Sequence, residues 1–187
     1  TGDHSSIRIM RRVVLTGAEC TGKTTLAKAL SGYYGEPWTG EYVREYVGAL
    51  DRPLKASDLE TIAEGQLAME DQPIDQAKNL IIHDTSIFSS IVYAHHYFDT
   101  RIDWVNDAFL SRNYDLYFIC TPDGIEWQED PGQRDSPGAR AVLQQKFKEG
   151  LARFNLPTIE LSGSPEIRFD EATKAIDSLL ESGYSFT

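Results

Sequence analysis

The chain has 187 residues, of which 41% are hydrophobic and 25% are charged, a composition typical of a globular protein with a sizeable core. Its formal net charge of −11 argues against a nucleic-acid partner or an anionic membrane surface, because phosphate groups are bound by clustered Lys and Arg. The two distant cysteines do not suggest a disulfide framework, and no apolar run reaches the ~18 residues of a spanning helix, so we expect a cytoplasmic protein.

Short hydrophobic runs alternate with helical patterns along the chain, which predicts βαβ units and an α/β fold. Four apolar or β-branched runs predict strands at 7–16, 80–82, 116–120 and 157–161. A fifth, shorter strand is expected near 37–40. The patterns between them predict helices, including 23–31, a capping-box start at 57–60 that ends near Pro73, 139–154, and a last helix carrying Phe169 to Leu180. These apolar stripes are interpreted as core.

We interpret residues 1–8 as a disordered tail or an expression remnant, and residues 9–187 as one domain. Within that domain, residues 123–138 separate a strand from a helix and are rich in Pro, Gly and mixed charges. Long loops of this kind in compact domains are usually functional or disordered. Trp127 and Arg134 in this segment favour a lid that closes over a ligand.

Residues 17–24, with the sequence GAECTGKT, match the pattern G-x-x-x-x-G-K-[ST] in full, after a β-branched strand and before a helix. Backbone N–H groups of such a loop point inward at phosphate oxygens, and the helix N-terminus adds its positive dipole. Lys23 is expected to reach the β- and γ-phosphates, and the Thr24 hydroxyl to bind Mg²⁺. The predicted triphosphate site comprises Gly17, Ala18, Glu19, Cys20, Thr21, Gly22, Lys23, Thr24 and Thr25.

Asp84 ends a buried strand, where its carboxylate is expected to hold Mg²⁺ beside the phosphate loop. The alternative is a helix N-cap, because Asp84, Thr85 and Ser86 precede a helical pattern. Thr85 occupies the position at which hydrolytic motors commonly carry a Glu that activates water. The presence of Thr rather than Glu at position 85 favours phosphoryl transfer to a bound acceptor over hydrolysis.

Residues 41–46 follow the short second strand, on the sheet edge where an acceptor would bind. A carboxylate of this segment would accept a hydroxyl proton or bind a ribose diol, and either Glu41 or Asp84 would orient or deprotonate the acceptor hydroxyl. Arg44 would meet a phosphate. The competing interpretation is a solvated helix face on which Arg44 pairs with Glu41 or Glu45. Of the two arginines that flank the lid segment, Arg134 is a stronger candidate than Arg140 for offsetting charge on the migrating phosphoryl group. Trp127 either stacks on a ring or anchors its loop.

Taken together, these motifs resemble the NadR-like P-loop kinase family, an AAA-type ATP-binding group that includes a ribosylnicotinamide kinase domain. The resemblance covers about residues 12 to 180 and is carried by 17–25, 41–46, 58–66, 82–85, 127–134, 162–163 and 168–169. This chain departs from the family's lid by one extra residue before Arg134. The family's adenylyltransferase and DNA-binding portions are not part of the match.

The resemblance implies a P-loop NTPase fold, a three-layer sandwich whose five-stranded parallel sheet has the order 2-3-1-4-5, with a lid segment. It also implies ATP and Mg²⁺ as cofactors and nicotinamide riboside or a related nucleoside as the phosphate acceptor. By position, Lys23, Thr24 and Asp84 would serve phosphates and metal, and Arg134 the lid. Glu41, Arg44 and Glu45 would line the acceptor pocket. The alternative is a nucleotide-dependent ATPase or regulatory binding module with slow hydrolysis.

Overall fold

Strands and helices alternate through the part of the chain that the computed structural model describes, residues 9–128 and 137–182. The strands are β1 (Arg11–Thr16), β2 (Trp38–Thr39), β3 (Leu80–Asp84), β4 (Leu116–Cys120) and β5 (Thr158–Leu161). The helices are α1 (Lys23–Tyr34), α2 (Tyr42–Ala49), α3 (Leu59–Asp71), α4 (Phe88–Phe98), α5 (Asp103–Ser111), α6 (Pro137–Arg153) and α7 (Pro165–Glu181). A short 3₁₀ turn, Ala56–Asp58, precedes α3.

All strand pairs of the sheet are parallel, and the strand order is β2-β3-β1-β4-β5, so the predicted fold class is confirmed. Successive residues of β1 face opposite sides of the sheet, as strand geometry requires. Leu15 belongs to a core cluster that includes residues of α1 and α7, whereas Val14 belongs to a second cluster that includes residues of α3, α4, α5 and α6. Two helical layers therefore enclose the sheet, which explains why β3 and β4 are buried along their whole length.

The topology reverses at β1, because β3 lies on one side of it and β4 on the other. In open parallel sheets such a reversal leaves a crevice at the carboxyl ends of the strands. The loop from β1 to α1 opens into that crevice, as does the end of β3, where Asp84 is in register with Leu15. The fold thus brings the two predicted phosphate-site segments to the same place.

Two local predictions differ from the structure. The capping box at 57–60 is not formed, since α3 begins only after the 3₁₀ turn and the Asp58 carboxylate instead accepts the Lys55 backbone N–H at 2.8 Å. The helix predicted at 139–154 begins at Pro137, within the segment assigned to the lid. Residues 129–136 of that segment lie outside the described residues. Across the described ranges, no helix is long and apolar enough to cross a bilayer.

Candidate active site

The phosphate loop has the backbone geometry that its motif predicts. Gly17 has a φ of 128°, and a Cβ atom there would lie 2.8 Å from the Cys120 carbonyl oxygen. Gly22 has a φ of 78° and caps α1. Both positions therefore require glycine, one for close approach of β4 and both for positive φ. The Lys23 ammonium donates to the carbonyl oxygens of Gly17 (2.9 Å) and Ala18 (2.7 Å), which holds it over the loop.

Thr24 and Asp84 meet at the base of the crevice. The Thr24 hydroxyl donates to Asp84 Oδ2 at 2.5 Å, and Asp84 Oδ1 is buried without a hydrogen-bond partner among the described residues. Asp84 is not the N-cap of α4, because that helix begins at Phe88 and Ser86 Oγ accepts the Phe88 N–H. A buried carboxylate oxygen left without a partner is costly, so a ligand is the natural explanation.

The Thr24 and Asp84 oxygens fit the preferences of Mg²⁺, a hard cation that protein sites bind through one or two oxygen side chains together with phosphates and water. No larger group of potential metal-binding His, Cys, Asp or Glu side chains is found in the described ranges.

Glu41 immediately precedes α2 in an extended conformation. Its side chain is only 13% exposed, and Tyr93 Oη donates to Oε1 at 3.3 Å while Arg44 Nε lies 3.8 Å from Oε2. Burial raises the pKa of Glu41, and repulsion from Asp84 adds to this, whereas Lys23 and Arg44 oppose it. A carboxylate with a raised pKa is a better proton acceptor than an ordinary surface Glu.

One cavity of about 780 Å³ joins these groups. Its phosphate-loop wall runs from Glu19 to Thr25, and Asp84 and Glu41 lie on the same surface. Beyond Glu41 the wall is mainly apolar, formed by Val43, Val47, Leu54, Leu59, Ile62, Tyr97 and Phe98. The remaining lining residues include Gly124, Ile125, Glu126, Gln128, Pro165, Arg168 and Phe169. The lining is thus polar around the phosphate loop and Glu41 and mainly apolar beyond Glu41.

Not every predicted site residue reaches this cavity. Arg44 lines it, but Glu45 is exposed and lines a second cavity of about 570 Å³ beside Trp38. On α2 Glu45 lies about 200° around the axis from the cavity-lining Val43, at 100° per residue, so its role at the acceptor pocket stays a prediction that this cavity does not support. Arg134 lies outside the described residues.

Trp127 does not line the large cavity and packs instead against Arg140, whose guanidinium carbon is 5.0 Å from the ring centroid. Arg140 Nη1 also donates to the Cys20 carbonyl oxygen at 3.1 Å. Of the two alternatives for Trp127, the described contacts favour the one in which it anchors its own loop. Trp127 and Arg140 thereby support the phosphate loop from outside.

Two buried polar side chains that support the loop were not predicted. Gln144 Oε1 accepts the Ala18 N–H at 2.9 Å, and its amide donates to the Cys120 carbonyl at 3.1 Å. Arg168 is 2% exposed, and its guanidinium donates to four backbone carbonyls, those of Thr21, Thr121, Asp123 and Gly163. Both lie on otherwise amphipathic helices, where a polar residue within an apolar stripe was the available signal.

Residues 12–168 match the family model described as AAA domain. An ATP-dependent lipid A-core flippase of Shewanella frigidimarina is 27% identical over 178 residues, which are 95% of this chain but only 26% of that protein. The chain therefore spans about a quarter of that curated relative.

Solved structures of NadR, in complex with NAD and AMP-PNP and in complex with NR, have TM-scores of 0.76 at 20% and 21% identity, covering 96% of this chain and 52% of theirs. Thymidylate kinase from Ehrlichia chaffeensis has a TM-score of 0.65 at 18% identity, covering 90% of this chain and 99% of its own. The fold expected from the resemblance to NadR-like P-loop kinases is confirmed by these matches. The chain belongs to the AAA domain family.

Proposed function

We propose that this protein is an ATP-dependent kinase that phosphorylates nicotinamide riboside or a related nucleoside. The observation that carries the proposal is the single cavity in which the phosphate loop and the buried Glu41 carboxylate face the same space. A hydrolase needs only the first of these, whereas a transferase needs a second compartment for its acceptor.

The phosphate end of the cavity supplies binding and charge. Backbone N–H groups of the loop and the Lys23 ammonium would cradle the ATP phosphates, and Lys23 would exchange its two loop carbonyls for phosphate oxygens. Thr24 and Asp84 would hold Mg²⁺, which supplies a Lewis acid that offsets phosphate charge when it is bound. Gln144 and Arg168 keep the loop rigid, so that its donors need no rearrangement during the reaction.

The acceptor end supplies orientation and a base. Glu41 would accept the proton of the attacking hydroxyl, and Tyr93 and Arg44 would hold its two oxygens in place. The apolar wall beyond Glu41, which includes Tyr97 and Phe98, suits a planar ring more than a second phosphate. NadR has the same overall fold and has been solved in complex with NR, which supports a nucleoside-like acceptor for this protein.

The segment after Asp84 argues against efficient hydrolysis. Thr85 is buried, and its backbone is held by hydrogen bonds from its N–H to the Leu15 carbonyl and from Gln66 to its own carbonyl. A Thr side chain cannot act as a general base for water at neutral pH. The nucleotide-dependent ATPase remains the alternative that the experiment must separate.

The test is an assay of ADP release and product formation with ATP, Mg²⁺ and a panel of acceptors. Nicotinamide riboside, uridine, adenosine and thymidine monophosphate would be compared with a blank that lacks acceptor. We expect ADP release to rise at least about tenfold with nicotinamide riboside and a phosphorylated riboside to appear in the mass spectrum. ADP release that is equal with and without every acceptor would support the ATPase and refute the kinase.

A further inference from the structure

A pair of polar side chains is buried on α3, one helical turn apart. Gln66 is 3% exposed and Glu70 is 0% exposed, although the rest of this face packs apolar residues such as Ile62 and Ala63. Buried polar groups of this kind are costly unless they find partners. Among the partners of this pair are backbone groups of the two segments that carry the site carboxylates.

Gln66 connects those two segments directly. Its Oε1 accepts the backbone N–H of Tyr42 at 3.0 Å, and its Nε2 donates to the backbone carbonyl of Thr85 at 3.3 Å. Tyr42 follows Glu41 in the chain, and Thr85 follows Asp84. One side-chain amide therefore bridges the peptide after the acceptor-end carboxylate and the peptide after the phosphate-end carboxylate.

The Thr85 peptide needs this support, because a β-branched residue there has a φ of 78°, in the left-handed region that such residues rarely adopt. Its N–H donates to the Leu15 carbonyl at 2.9 Å, and its carbonyl is the one bound by Gln66. Ile87, two residues after Thr85, donates its backbone N–H to Glu70 Oε2 at 3.0 Å. The segment between Asp84 and α4 is thus attached to α3 at two points.

The approach of α3 to the start of α2 is equally close. A Cβ atom on Gly65 would lie 2.0 Å from the Tyr42 ring, so only glycine allows the ring to pack there. This contact lies beside Gln66 and places the Tyr42 N–H within reach of its amide oxygen. The geometry of α3 therefore fixes where α2 begins and, with it, the backbone of Glu41.

From these contacts we propose that Gln66 is a positioning residue for phosphoryl transfer, which sets the separation of the Glu41 and Asp84 carboxylates. The inference rests on the proposed function for its catalytic meaning. It assigns to Gln66 no contact with substrate, since its hydrogen bonds go to the backbone groups of Tyr42 and Thr85 and, at 3.5 Å, to Glu70 Oε2. Its effect acts through the geometry of other residues, where a displacement of about 1 Å costs on the order of 100-fold in rate.

The experiment compares Gln66→Met, which keeps the side-chain length but removes every hydrogen bond of the amide, with Gln66→Glu, which keeps an acceptor for the Tyr42 N–H and loses the donor to Thr85 and Glu70. Glu36→Gln is the matched control. Glu36 is also buried and accepts the N–H groups of Lys78, Asn79 and Leu80, at the opposite end of the strand that carries Asp84. Each variant is assayed for kcat, for ATP binding without acceptor and for hydrogen exchange of the Tyr42 amide.

We expect Gln66→Met to lower kcat at least about tenfold while ATP affinity stays within about twofold, and to speed Tyr42 amide exchange by at least about tenfold. Gln66→Glu should keep the Tyr42 amide protected from hydrogen exchange and still lower kcat. This variant tests the inference even if Gln66→Met does not fold. The inference would be overturned if the Gln66 variants lost ATP affinity in proportion to kcat. It would also be overturned if Glu36→Gln, at the same loss of Tm, lowered kcat as much as the Gln66 variants do.

If the unaltered protein transfers phosphate to no acceptor, the proposed function fails, and a crystal structure of a Gln66 variant decides the inference separately. A separation of the Glu41 and Asp84 carboxylates that changes by more than about 1 Å would support it. A separation unchanged from that of the unaltered protein would overturn it.

Discussion

Glu41→Gln is the substitution that tests the acceptor end of the site most directly. It replaces a carboxylate with an amide of the same shape, so the Tyr93 hydroxyl keeps an oxygen to which it can donate. The amide cannot accept a proton from the acceptor hydroxyl. Its loss should therefore appear in kcat, while the binding of ATP at the phosphate loop stays intact.

The expected loss of kcat is roughly 100-fold to 10,000-fold, the usual contribution of a positioned general base, or about 3 to 5 kcal/mol in the activation barrier. Stability should not fall. The pKa of Glu41 is raised by burial, so the folded state binds this proton more tightly than the unfolded state, and stability decreases as the pH rises above the ordinary value of a Glu carboxyl. At neutral pH a neutral Gln should therefore leave Tm unchanged or raise it.

The assay is the pH dependence of kcat for the unaltered protein and two variants. For the unaltered protein kcat should fall on acidification with a midpoint above the ordinary pKa of Glu, and this limb should disappear in Glu41→Gln. Glu45→Gln is the matched control, because Glu45 lies on α2 but is exposed and faces the other cavity. A Glu41→Gln variant within about threefold of full activity, or an equal loss in Glu45→Gln, would refute the assignment.

Three further predictions concern the phosphate end and the core. Lys23→Ala should lower turnover at least about 100-fold with the fold retained, whereas Lys28→Ala, at an exposed position of α1, should have no such effect in the same assay. Asp84→Asn should raise the Mg²⁺ concentration needed for half-maximal turnover and lower the maximum at least about tenfold, as a Mg²⁺ titration would show; an unchanged Mg²⁺ dependence would contradict the metal assignment. Burial raises the pKa of Glu70 to about 7, so urea denaturation should show stability falling between about pH 5 and 7, by up to about 3 kcal/mol, and Glu70→Gln should remove that slope.

The strands and the phosphate loop were predictable from the sequence because their signals are local. Runs such as 80–82 and 116–120 are apolar on both faces, which occurs where helices cover both sides of a parallel sheet. The glycines of the 17–24 motif are needed for backbone angles within the loop itself. Neither signal depends on distant parts of the chain.

Local signals could not distinguish the roles of the two acidic residues in the 41–46 segment, Glu41 and Glu45. The same composition and spacing are expected for a solvated helix face and for an acceptor site. The difference arises because Glu41 precedes the helix in an extended conformation and is covered by Tyr93 of α4, whereas Glu45 lies on the open side of α2. That covering contact joins residues 52 positions apart.

The sequence by itself determined the strands and the phosphate loop, and it predicted that Thr24 and Asp84 lie together, since each follows from strand ends and one glycine-rich turn. Only the tertiary structure decided which buried side chains hold the site together. Gln66, Gln144 and Arg168 act through backbone groups far away in the chain, and a sequence pattern records which face a residue occupies but not which distant carbonyl or N–H it meets.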